Sequence, residues 1–134
     1  MQKKHGFQLM ELIISLAMVS ILIAFSIPRY SQHLLQARRL EAASMLSKLA
    51  IAMEQYYLSH HTYHGANLAT LHFPEIIAKN NYQLKIESAN DDDYLLLAKP
   101  TGLQAEKDIL CSKLSLRSTG EKGISGIGKI EDCW

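Results

Sequence analysis

Four groupings of side chains in this 134-residue sequence have the residue types that site chemistry requires. His60, His61 and His64 lie close together, and His60 and His64 have the i,i+4 spacing that puts two imidazoles on one helix face, as zinc sites use. No cysteine or acidic third ligand accompanies them, and the helical pattern ends there, so they read as exposed loop histidines. Asp91-Asp92-Asp93 offers carboxylates for calcium but lacks the spaced oxygen ligands and the glycine of a calcium loop, so it reads as a hairpin turn. Gly120, Gly123, Gly126, Gly128 and Lys129 suggest a phosphate cradle, yet no Gly-Lys-Ser/Thr follows and no helix opens there. No nucleophile stands with a paired base. The expectation is therefore a chain with no metal, no cofactor and no enzymatic activity.

The fourth grouping is a single carboxylate in an apolar setting. Basic Met1-Gln2-Lys3-Lys4-His5-Gly6 precedes 21 residues, Phe7 to Ile27, in which Glu11 is the only charged side chain. A bilayer core takes about 20 such residues as helix. The run shows neither two-residue alternation nor a turn signal, so it reads as a helix apolar on all sides. Lys3 and Lys4 place its start in the cytoplasm. Ile27-Pro28-Arg29-Tyr30 has no small-residue cleavage site, so the apolar segment is expected to stay in the mature protein. A carboxylate in a spanning segment costs about 2.5–3.5 kcal/mol on insertion scales, so Glu11 calls for compensation. Either a positive group from a neighbouring chain supplies it, or the carboxylate reaches the interface near a helix N-terminus.

The elements that must carry these groups follow from periodicity. Beyond Pro28, apolar residues recur at offsets of three and four (Leu34, Leu35, Leu40, Met45, Leu46, Leu49, Met53, Tyr56, Tyr57), as in an amphipathic helix. Phe7 to Ser59 then forms one helix of about 80 Å, with a kink or a locally unwound stretch near Ser26 to Pro28. Arg29, Arg38 and Arg39 read as solvated helix charges. A loop runs from Tyr63 to Pro74, and Pro74 to Asn80 adds a helical turn. Tyr82–Glu87, Tyr94–Lys99 and Leu110–Arg117 alternate as strands, and Glu121–Lys129 supplies a short irregular last one. The fold class is α+β: a long N-terminal helix packed on a three- or four-stranded antiparallel sheet too small to stand alone.

Gly6-Phe7-Gln8-Leu9-Met10-Glu11-Leu12-Ile13 resembles the type IV prepilin signature, and Pro28 with Tyr30 also falls where that family has a proline and an aromatic residue. Gln8 and Ser20 depart from its commonest pattern. The resemblance implies a leader, residues 1–6, removed by prepilin peptidase between Gly6 and Phe7, with N-methylation of Phe7. It implies a transmembrane and assembly helix over residues 7–28, and a periplasmic domain over residues 29–134 that includes the amphipathic half of the helix. Glu11 matches the family's invariant glutamate, whose partner would be the α-amino group of Phe7 in a neighbouring subunit. Pro28 marks the break that can extend on assembly. The implied partners are other pilin subunits, the peptidase and methyltransferase, the inner-membrane assembly machinery, and membrane lipid before assembly.

Cys111 and Cys133 are the only cysteines. The membrane-targeting N-terminus delivers them to an oxidising space, so a disulfide is expected, with two buried free thiols as the alternative. A terminal Cys133-Trp134 paired with a strand cysteine is similar to minor pilins of the PilE type, as is Ala52-Met53-Glu54-Gln55-Tyr56-Tyr57 leading to Tyr63. A structural, minor subunit of a type IV pilus is the leading reading. A type II secretion pseudopilin shares the N-terminus, and a DNA-binding or adhesive tip subunit is a third class. With 14 Lys+Arg against 13 Asp+Glu the chain carries +1, and loss of Lys3 and Lys4 gives +1 − 2 = −1. That balance speaks against general DNA binding, and no specific nucleic acid is expected.

Overall fold

The computed structural model describes residues Leu9 to Trp134, excepting the side chain of Pro28; Gly6 and Phe7 lie outside the described residues. Helix α1 spans Leu9–His60 as one 52-residue element. The helical backbone is continuous across Pro28, so the unwound stretch expected at Ser26 to Pro28 is not formed in the single subunit. The chain divides into two units, one ending at Leu34 and the other running from Leu35 to Trp134.

In the second unit the helix is one-faced. Leu35, Ala42, Ala43, Leu46, Leu49 and Met53 are buried at offsets of mostly three and four. They meet a five-stranded antiparallel meander in the order β1-β2-β3-β4-β5. Its strands are β1 (Ile76–Ile77), β2 (Tyr82–Ala89), β3 (Tyr94–Pro100), β4 (Leu114–Arg117) and β5 (Lys122–Ile124). The side chains of Tyr82, Leu84, Leu96, Ala98 and Leu114 close the core from the sheet side. Alternation sends their neighbours outward, with Gln83 opposite Lys99, Lys85 opposite Leu97, and Leu95 opposite Arg117.

The sheet thus has five strands where three or four were expected. The added strand is the edge β1, two residues long and too short for a two-residue period to show; β5, of three residues, falls within the short last strand expected over Glu121–Lys129. Pro74 to Asn80 holds β1 rather than a helical turn. Next, Ala78, Lys79 and Asn80 take φ of 52°, 53° and 64°. Three successive side chains in the left-handed region cost about 1–2 kcal/mol each. Asn81 holds them there, its Nδ2 donating to Ala78 O at 2.8 Å and Lys79 O at 2.9 Å. Thr101 Oγ1 donates to Asn80 O at 2.8 Å. Two short helices went unforeseen, α2 (Gly102–Lys107) and α3 (Ile130–Cys133), and the strand expected from Leu110 begins only at Leu114. Cys111 and Cys133 are joined in a disulfide, with Cα atoms 5.6 Å apart. Closing a loop of this size stabilises by roughly 3 kcal/mol in the loop-entropy view.

Arg39, read from sequence as a solvated charge, is instead the polar centre of the domain. Its Nη2 lies 2.7 Å from Asp108 Oδ1 and its Nε donates to Oδ2 at 3.0 Å, a two-point pair. The Asp108 side chain is 1% exposed and that of Arg39 12%. Gln104 Nε2 donates to Asp108 Oδ2 at 2.9 Å and to the Leu35 carbonyl at 3.1 Å, and the Tyr82 hydroxyl donates to Asp108 Oδ2 at 3.3 Å. Arg39 Nη1 also reaches the Asp132 carbonyl at 3.3 Å. One guanidinium therefore ties α1 to the end of α2 and to α3. Asp108→Ala leaves that cation buried without its carboxylate and should destabilise the domain by about 3–5 kcal/mol, whereas the double variant Arg39→Met/Asp108→Leu should regain most of the loss. Thermal unfolding of the full chain in detergent checks both; a drop of under about 1 kcal/mol for Asp108→Ala would remove Arg39 from this role.

Candidate functional site

Two surfaces have the exposure and chemistry to act on other molecules. The first is the unit ending at Leu34. Every side chain from Leu9 to Ile27 is exposed, including Leu9, Leu16, Leu22 and Phe25. The helix is long and apolar enough to cross a membrane. Its serines do not break that character, because Ser15, Ser20 and Ser26 each donate to the carbonyl four residues back, Glu11, Leu16 and Leu22, at 2.7, 2.7 and 2.9 Å. Hydroxyls satisfied by their own helix need no water. Glu11 stands in the first turn of α1.

The second surface is the sheet face turned away from α1. A shallow depression of about 390 Å³ there is lined by Gln83, Lys85, Glu87, Leu97, Lys99 and Lys113. It adjoins a smaller one that shares Leu97 and Lys113 and adds Leu95, Ser115, Arg117, Ile124 and Ser125. Register explains the convergence: residues of one parity on adjacent strands, about 4.8 Å apart, stack their side chains on a single face. Four cations, Lys85, Lys99, Lys113 and Arg117, share it with Glu87 and Glu121. Lys85 Nζ sits 2.6 Å from Glu87 Oε2, and the hydrogen bond and charge of Lys85 hold the Glu87 carboxyl below its usual range, with Lys113 assisting. Arg117 and Glu121 pair loosely at 3.6 Å. Among the described residues, Lys99 and Lys113 form no salt bridge. Sequence reasoning missed this face because Lys85, Lys99 and Lys113 follow one another at intervals of 14 residues along the chain, and only Lys113 and Arg117 are near neighbours. The outward parity of each strand was the signal that could have found it.

The other sequence candidates are accounted for by packing. His60 stacks on Tyr56 with ring centroids 4.0 Å apart. Asp91 Oδ1 accepts from Thr62 Oγ1 at 2.9 Å and the Asp91 carbonyl accepts from Tyr63 N at 3.4 Å, so the acidic turn fastens the loop after α1. Among the described residues no three His, Cys, Asp or Glu side chains group so as to hold a metal ion. The glycines serve close approach: a Cβ on Gly126 would stand 2.1 Å from the Leu110 carbonyl oxygen. Toward the His60 end of α1, the hydroxyls of Tyr63 and Tyr94 both donate to the Glu54 carboxylate at 3.1 Å, joining loop and sheet to the helix.

A long helix with an apolar N-terminal part, packed over an antiparallel meander closed by a C-terminal disulfide, defines the type IV pilin class. A family model described as type IV minor pilin ComP, DNA uptake sequence receptor, matches residues 28–115. The chain belongs to that family of type IV minor pilins. It is 31% identical over 120 residues to a type IV major pilin protein PilE1 of Neisseria gonorrhoeae, covering 90% of this chain but 55% of that relative. A fimbrial protein of Neisseria meningitidis serogroup B is 29% identical over 120 residues, with 90% and 69% covered. The solved non-core minor pilin PilV of Neisseria meningitidis superposes with a TM-score of 0.57 at 21% identity, covering 70% of this chain and 89% of that one, a likeness of fold.

Alkaline titration measures the Glu54 junction. Burial first, and then the hydrogen bond to Glu54, push the Tyr63 hydroxyl from 10.0 up to about 12 and raise that of Tyr94 further; burial lifts Tyr82 to about 12. A phenol that holds its proton more tightly when folded contributes stability in full below pH 10, and that contribution is lost as pH rises through the folded value. Spectroscopic titration of the six tyrosines should show these three ionising last, together with loss of structure between about pH 10 and 12. Glu54→Ala should move that transition to lower pH; an unchanged profile would exclude Glu54 from it.

Proposed function

We propose that the chain is made as a precursor, cut between Gly6 and Phe7 by prepilin peptidase, N-methylated on Phe7, and assembled by inner-membrane machinery into a type IV pilus. In this reading residues 1–6 are the leader, residues 7–28 the spanning and assembly helix, and residues 29–134 the periplasmic domain. Before assembly the helix anchors the subunit in the inner membrane. In the filament Glu11 is neutralised by the α-amino group of Phe7 from a neighbouring subunit, and Pro28 is where α1 gives way if the helix extends on packing. The observation that carries this is an α1 whose side chains are exposed on every face from Leu9 to Ile27, with one carboxylate among them. A buried charge of that kind sets register because misaligned packing leaves it uncompensated.

Mass spectrometry of sheared filaments should find a subunit beginning at N-methyl-Phe7, and Glu11→Ala should cut its incorporation about tenfold or more while the precursor still accumulates in the membrane. Unaltered incorporation would remove Glu11 from assembly. Absence from pili together with a secretion defect would favour a type II pseudopilin.

The cationic sheet face supports a second role, binding DNA, the ligand named in the family's description. The formal −1 of the processed chain is a whole-chain sum, whereas four cations against two carboxylates are concentrated on this one face. Phosphate contacts release counterions and steepen salt dependence, by about 0.9 log unit of affinity per log unit of salt for each contact. The triple variant Lys85→Ala/Lys99→Ala/Lys113→Ala, as full chain in detergent, should bind duplex DNA at least about tenfold more weakly and lose between about 2 and 3 from the salt slope. Equal affinity and slope would dismiss this face as the DNA surface.

A further inference from the structure

Away from the sheet face, the domain holds four aliphatic side chains out in solvent where packing has the means to bury them. Ile127 is 82% exposed, Ile109 61%, Leu110 56% and Ile130 41%. Their backbones are adjacent: Ile127 N donates to Ile109 O at 3.3 Å, and Gly128 N donates to Leu110 O at 2.7 Å. Ile130 follows two residues after Gly128 and opens α3. Soluble surfaces carry single exposed aliphatics freely, but a contiguous group marks a contact.

The group is also rigidly presented. Ile109 and Leu110 sit between two buried anchors, Asp108 in the pair with Arg39, and Cys111 in the disulfide. Ile127 is flanked by Gly126 and Gly128, both of which press so closely on the Leu110 carbonyl that a Cβ at either would meet its oxygen at 2.1 and 2.8 Å. Side chains at 126 and 128 are excluded, and the one between them is turned outward. Preorganisation of this kind reduces what association costs in lost freedom.

We infer that this patch is the surface by which the domain covers the apolar α1 segment of a neighbouring pilin subunit in the filament, an inference that rests on the assembly reading above. The occupant follows from what the same chain exposes. From Leu9 to Ile27 no side chain is covered by its own subunit. Outside a bilayer that segment requires aliphatic cover on several sides, and an aliphatic patch whose chain neighbours Lys107, Lys129 and Glu131 are exposed combines apolar and charged side chains as a protein contact does. The patch also surrounds the end of the domain where the chain enters it, because Asp108 and Asp132 both bind Arg39, and Gln104 binds the Leu35 carbonyl.

The test uses full-length protein expressed with its pilus machinery. Leu110→Lys/Ile127→Lys should lower its share in sheared filaments about tenfold relative to the membrane fraction, while Ile127→Leu should keep it and the melting temperature in detergent should not move. A photo-crosslinking residue at 127 should give an adduct within the apolar N-terminal segment of another pilin. Incorporation of the lysine variant within about twofold of wild type would overturn the contact. So would an adduct with lipid alone or with another part of a pilin. If wild-type protein itself is missing from filaments the assembly reading falls, whereas wild type present and the variant equally present removes only this surface.

Discussion

One helix must satisfy two solvents, and that constraint orders everything else in the molecule. Up to Ile27 the side chains of α1 are exposed on all faces and apolar save for Glu11 and internally bonded serines, which suits lipid or the interior of a bundle. From Leu35 onward only one stripe is buried, and the rest faces water. A sheet of five short strands has no second layer of its own, so its inner face depends on that stripe: Leu46, Leu49 and Met53 are without exposure because Leu84, Leu96 and Leu114 lie against the same core. Fully burying each such side chain stabilises by about 1.5–3 kcal/mol, which is why the domain cannot be separated from the second half of its helix.

Apolar contact alone leaves orientation loose, and two polar junctions fix it. Near Leu35 the Arg39–Asp108 pair recruits Gln104, Tyr82 and the Asp132 carbonyl. Toward His60 the Glu54 carboxylate takes the hydroxyls of Tyr63 and Tyr94. The two differ in burial and so in consequence. Asp108 is nearly without solvent, and removing either partner strands a charge. Glu54 is exposed, so water substitutes for lost partners and its junction yields more gently. The disulfide adds a third tether at the terminal segment, reinforced by Trp134 Nε1 donating to the Gly123 carbonyl at 3.1 Å and by Lys122 lying 5.1 Å from the Trp134 ring.

What the sequence revealed follows the range of the interactions involved. The long helix, the strands Tyr82–Ala89 and Tyr94–Pro100, and the disulfide were legible because periodicity, turn residues and redox compartment are local or compositional. The edge β1 was not, since a strand of two residues exists only through its partner, whereas β5 lies within the irregular last strand read at Glu121–Lys129. Leu40 is exposed despite belonging to the apolar pattern, and Arg39 is buried despite its charge. Their one-residue separation places them on different faces, and which face is covered depends on α2, an element with no side-chain cap and six residues of ordinary composition. The outward cations were visible individually, but their convergence required the register.

That register bears on how net charge should be used. A whole-chain value near zero describes the far field, which falls off over about 8 Å at physiological ionic strength. Lys85 and Lys99 lie on the paired strands β2 and β3 and Lys113 immediately precedes β4, so a ligand on the sheet experiences them together, while the opposing Asp91–Asp93 sit at the hairpin tip, with Asp91 and Asp93 already accepting hydrogen bonds from Thr62 and Asn90. The domain therefore separates its chemistry by face: cations on the outer sheet, acids at a turn, aliphatic side chains at the end where α1 enters. A filament subunit has to bury one surface and display another. The sheet meander achieves this because its alternation commits every second residue to the outside, leaving the outer face free to vary without disturbing the core that α1 requires.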